Sequence, residues 1–187
     1  MEIRVNVVLL AVLACAWSAL SSADPVAALD PAAPSTRALA SLEDDFAAHP
    51  ADLRLARALA DSYLEVGRPG LAVAALRSAD PALLEDPMLA HRLAQAYERS
   101  GRVLDALATA DLALQRCGRA LGSDTASTAT PVPRFDCSER TYAALDVHHS
   151  ALSYMVRWGV AEPVGDARAA TAYRLATRSA TIAVASE

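Results

Sequence analysis

Lysine is missing from this chain altogether: all 17 basic residues are arginine, while alanine is abundant. That pairing reflects high-GC coding before any functional demand. Aromatic residues and glycine are scarce as well, with two phenylalanines and seven glycines in 187 residues. A chain so rich in alanine and so poor in both is a close-packed, all-α chain. An excess of positive charge is lacking too. The formal net charge is −5, which makes nucleic acid a poor partner. Nucleophile elbow, phosphate loop and His-Glu-x-x-His sequence are all absent, as are Cys-x-x-Cys and haem-attachment sequences. The chemistries those motifs carry have no signature here, and no catalytic residue, metal or cofactor is expected.

The amino terminus carries an address. Arg4 precedes the apolar run Val5 to Leu20, which ends in Ser21, Ser22 and Ala23 before Asp24-Pro25. A short charged start, an apolar core and a small-x-small end form an export signal, here residues 1–23, cleaved after Ala23. The run of 16 residues is shorter than the roughly 20 that a spanning helix needs. The mature chain then has no membrane span and works in the periplasm or at the envelope. It is membrane-anchored only if the signal stays uncleaved, or if Cys15 in Val12-Leu13-Ala14-Cys15 is lipidated as in a lipoprotein. Residues 24–35, with three prolines, read as a linker.

Export gives meaning to the two remaining cysteines. Cys117 and Cys137 are an even pair in an oxidising compartment and so a candidate disulfide. The alternative is two free thiols. A bridge would close the Ser-, Thr- and Pro-rich stretch Gly118 to Asp136 and contribute about 3 kcal/mol by the chain-entropy estimate.

What the chain does have is an internal repeat. Leu55, Ala56, Leu59, Ala60, Tyr63, Gly67, Arg68, Ala72, Ala74 and Ala79 recur 34 residues later as Leu89, Ala90, Leu93, Ala94, Tyr97, Gly101, Arg102, Ala106, Ala108 and Ala113. In each unit a first helix, about 53–66 and 88–100, carries apolar residues at helical spacing and stops at a glycine followed by arginine. A second helix starts near 70 and near 103. Ala60, Ala72, Ala94 and Ala106 are small, as two helices require where their backbones cross closely. This period and these positions resemble two consecutive tetratricopeptide repeats, 53–86 and 87–120, with Leu-Ala-x-x-Tyr at 59–63 and 93–97. Where that pattern prefers tryptophan the chain has Ala56 and Ala90, and where it prefers glycine it has Ala60 and Ala94. The resemblance implies a helical-hairpin array, an α-solenoid, that binds a protein or peptide.

Flanking segments complete a helical domain over 36–187. Thr36 to His49 reads as one helix, capped by Ser35 or Thr36 and ended by Pro50. After the loop 118–136, Asp136 and Glu139 form a capping-box-like start for a helix to Trp158, stopped by Gly159. A last helix runs from Val164 or Asp166 to Val184, with Ala169, Ala172, Tyr173, Ala176 and Ala180 facing inwards and Arg168, Arg174 and Arg178 outwards. This divergent C-terminal hairpin, 137–184, caps the array, since two isolated repeats would leave apolar faces exposed.

Two surfaces are candidates for function. By register, the resemblance implies a partner-binding groove on the first helices, formed by Arg54, Arg57, Asp61, Leu64 and Glu65, then Met88, His91, Gln95, Glu98 and Arg99. The expected function is an exported, non-catalytic adaptor. The alternative is an accessory subunit or small enzyme whose site lies on the C-terminal hairpin around His148 and His149, with Tyr142, Asp146 and Trp158 nearby. Asp146 and His149 share a helix face, but adjacent helical residues diverge by about 100°. That leaves at most two ligands from this helix where zinc wants three or four.

Overall fold

The structure is a computed structural model that describes residues 34–123 and 137–185, with side chains over 36–122 and 137–180. The signal, most of the linker, Asp136 and the stretch 124–136 lie outside the described residues. The described residues from Leu39 onwards form one unit, separate from the start of the first helix.

Among the described residues seven α-helices follow one another: α1 Pro34–Ala48, α2 Leu53–Glu65, α3 Pro69–Ser78, α4 Pro87–Arg99, α5 Val103–Ser123, α6 Glu139–Arg157 and α7 Ala167–Ala185. No strand occurs among the described residues. Proline opens α1, α3 and α4, where its missing N–H is no loss. Asp52 caps α2 by accepting from the N–H groups of Arg54 and Leu55, Asp86 caps α4 through the Leu89 N–H, and Ser138 caps α6 through that of Thr141. Helix α1 begins ahead of Ser35 and Thr36, which therefore lie inside it.

The 34-residue offset is repeated in the backbone hydrogen bonds. Arg68 N–H donates to Tyr63 O at 2.8 Å and Gly67 N–H to Leu64 O, while Arg102 N–H donates to Tyr97 O at 2.9 Å and Gly101 N–H to Glu98 O. Both glycines are left-handed, at φ 70° and 72°, which is the geometry that ends a helix by returning its last carbonyls to two following amides. Gly159, at φ 64°, ends α6 in the same way, with Val160 N–H on Met155 O.

Packing follows the chain in hairpins: α2 with α3, α4 with α5 and α6 with α7. Helix α3 also meets α4, α5 meets α6, and α2 lies beside α4. Ala60, Ala72, Ala94 and Ala106 are fully buried and Tyr63 and Tyr97 almost so, as close crossings with bulk beside them require. One apolar cluster runs from Leu39 and Phe46 through these hairpins to Met155, Ala172 and Ala176. A second, smaller one gathers Ala90, Ala113, Cys117 and Leu145.

Two features depart from the expected layout, and the cysteine pair agrees with it. A 3₁₀ turn, Pro81–Glu85, links α3 to α4, and the Arg116 guanidinium reaches it from α5, donating to Leu84 O and to Glu85 Oε1. Helix α5 continues through 118–123, where the composition suggested the start of a loop. At Gly118 a β-carbon would come within 3.3 Å of the Tyr142 ring, so its absence lets that ring pack. Cys117 and Cys137 stand at disulfide distance, with Cα atoms 5.4 Å apart, inside the roughly 7 Å a bridge can span.

Candidate functional site

The residues expected in the groove divide into two groups. Arg54 and Glu65 are exposed, and Asp61, Met88 and Gln95 are partly so. Arg92 holds this surface together: its guanidinium lies 2.5 Å from Asp61 Oδ1 and donates to Gln95 Oε1 at 3.1 Å. Arg99 donates to Leu64 O at 2.9 Å, tying α4 to the end of α2. Arg57 is half-buried and bonds Asp86 at 2.7 Å, with the Asp86 side chain 1 % exposed. Its charge neutralises a buried carboxylate.

His91 and Glu98 form the second group, and both are buried. Spacing on α4 places them on one side, seven residues apart, and the C-terminal hairpin packs against them. From α6, His148 Nε2 lies 3.0 Å from Glu98 Oε2. From α7, the Tyr173 hydroxyl donates to both Glu98 oxygens at 2.9 and 2.8 Å. The His148 and Tyr173 rings lie nearly parallel, 6.2 Å apart, and the His91 ring meets His148 edge-on at 4.8 Å.

A carboxylate can only accept, so His148 presents Nε2–H to Glu98 and turns Nδ1 to the other side of the ring. That Nδ1 and both ring nitrogens of His91 are buried without a hydrogen-bond partner. Burial, together with the neighbouring His148 and Arg92, pulls the His91 pKa down to about 3, so this ring is neutral at ordinary pH. Burial, the Glu98 charge and the Glu98 hydrogen bond push Tyr173 far above its usual range, so the phenol stays a donor.

His149 goes elsewhere. Its Nε2 is 3.8 Å from Asp111 on α5, so the two adjacent imidazoles address different helices. Among the described residues no group of three His, Cys, Asp or Glu side chains is placed to hold a metal ion. Beside Glu98 an open cleft of about 260 Å³ is lined by Gln95, Glu98, Arg99, Tyr173, Pro163 and Val164. It is small and open for a site that must enclose a small molecule.

No protein-family model, curated protein or solved structure matches this chain.

The cluster joins residues that sequence reasoning kept apart. Helical periodicity placed Tyr173 on the inward side of α7, but nothing local pairs its hydroxyl with a carboxylate 75 residues away. The only available signal was chemical: a buried Glu needs partners, and His148 and Tyr173 are among the few donors on inward positions.

Proposed function

We propose that this chain is an exported, non-catalytic interaction module of the tetratricopeptide-repeat type, acting in the periplasm or at the envelope. One observation carries the reading. The 34-residue repeat recurs in cap geometry, buried small residues and tyrosines, and it sets α2 beside α4 with a shared polar face of Arg54, Asp61, Glu65, Arg92, Gln95 and Arg99. Such a face suits an extended, polar peptide, and the cleft walled by Pro163 and Val164 gives it a place to end. The apolar run and small-residue end of 1–23 support export, and the Cys117–Cys137 distance agrees with an oxidising compartment.

The test is selection from a displayed peptide library against the full chain, followed by titration of the enriched peptides. Binding should weaken with salt, as rim charges act mainly on association. It should also weaken in Arg54→Glu, whose side chain is 92 % exposed. Leu104→Glu, on an exposed position of α5, should change nothing. No enriched peptide, or equal loss in both variants, overturns the proposal.

The alternative, a site around His148 and His149, has one observation in its favour: His148 sits in a buried Glu–His–Tyr cluster. Peptide binding that survives Arg54→Glu but is lost in His149→Ala would favour it.

A further inference from the structure

The Glu98–His148–Tyr173 cluster is the polar junction of three helices, and it fastens the C-terminal hairpin to the face of α4 that the repeat register assigns to a ligand. Glu98 sits at its centre. One carboxylate takes a donor from α6 and a donor from α7, so both arms of the hairpin are held through the same group. Beside the junction, edge-on to His148 and hydrogen-bonded to none of its members, lies His91.

We propose that the α6–α7 hairpin is an acid-released latch, seated on α4 while His91 is neutral and driven off when His91 takes a proton. The proposal rests on the groove reading only for its consequence, namely that release widens the cleft between α4 and the 159–166 turn.

The charges around His91 set the direction. His148 has Glu98 as a partner at 3.0 Å, but a proton on His91 meets no acceptor at either ring nitrogen. Arg92 follows it on α4, and the second imidazole faces it from α6. The carboxylates nearby are engaged: Asp61 of α2 with Arg92, Asp86 with Arg57 of α2, and Glu98 with α6 and with Tyr173 of α7. Asp111 of α5 faces His149. An imidazolium at position 91 is therefore buried beside like charge, and the system can relieve this by exposing it.

The sign of the pH dependence follows. In the seated state the ring holds a proton only near pH 3, whereas an exposed imidazole does so below about 6.5. The advantage of the seated state is complete above about 6.5 and is lost as pH falls, by about tenfold in the seated-to-released ratio for each pH unit down to about 3.

Trp158 supplies the readout. It ends α6, half-buried and stacked on Tyr154 at 5.5 Å, and in a full chain carrying Trp17→Phe it is the only tryptophan. Its emission should change between pH 6.5 and 4 while the far-ultraviolet helical signal holds. His91→Phe keeps a flat ring in the buried site and removes the titration, so its change should move down by at least about one pH unit; His91→Leu replaces it if the phenylalanine variant lacks the parent's helical signal. An unshifted change in the variant, no change down to pH 4, or simultaneous loss of helix would overturn the latch. The measurement is intramolecular, so a groove that binds no peptide leaves its outcome unaffected.

Discussion

Asp86 shows how much one side chain can carry. It caps α4 through the Leu89 N–H at 2.7 Å and accepts from Arg57 of α2 at 2.7 Å, while almost wholly buried. Arg57→Ala therefore leaves a buried carboxylate short of its cation. The expected loss is about 1–3 kcal/mol, read as a lower urea midpoint at unchanged slope; an unchanged midpoint would show that solvent replaces the guanidinium. Leu93 poses the apolar version of the same question, since it is buried in the continuous cluster. Leu93→Ala should lose about 2–5 kcal/mol in the same titration. At this scale the sequence was readable where position alone decides: the crossing alanines and paired tyrosines are buried because they sit on the inward side of a 3.6-residue period. It was unreadable where chemistry crosses the chain. Arg57 and His91 fall in register on a ligand face, yet one is spent on Asp86 and the other lies under His148, across separations of 29 and 57 residues that no local pattern encodes.

Among elements, the two equivalent helix ends differ in what surrounds them. Gly67 and Gly101 share a left-handed backbone, but a β-carbon on Gly67 would meet nothing within 4 Å, whereas on Gly101 it would lie 3.3 Å from Ala161 O. Gly67→Ala should carry only the left-handed penalty, about 1–2 kcal/mol. Gly101→Ala should lose measurably more, because the 159–166 turn must shift as well. Equal losses in parallel thermal melts would mean that this turn yields freely. Helix existence was legible from period, cap and glycine, and the start of α4 differed from expectation by one residue, Pro87 for Met88. The 3₁₀ turn and the extra length of α5 were not. Both depend on partners from another element: Arg116 at the turn, and the Tyr142 ring against Gly118.

Across residues 39–185 the helices pack mainly on their neighbours in the chain, so the all-helical layout could be inferred from segment order. How the last hairpin docks could not, since α6 packs on α5 and the Glu98 junction joins both its helices to α4 across 50 and 75 residues of chain. The cysteine pair bears on this docking directly. Thiol titration of the denatured, unreduced protein should find neither Cys117 nor Cys137 reactive, and reduction should lower stability by about 3 kcal/mol; two reactive thiols would show the pair unbonded. Cys137 lies two residues before α6, and Cys117 is fully buried in α5. A bond there adds a second, shorter covalent link between the hairpin and α5, so that on the latch proposed above the hairpin is a closely tethered intramolecular ligand of α4. Once off α4 it remains at an effective concentration of the order of millimolar, so its return does not depend on how dilute the protein is. An outside segment competing for the same face must outbid a ligand that never diffuses away, and reduction of a single bond would shift that competition without touching either binding surface.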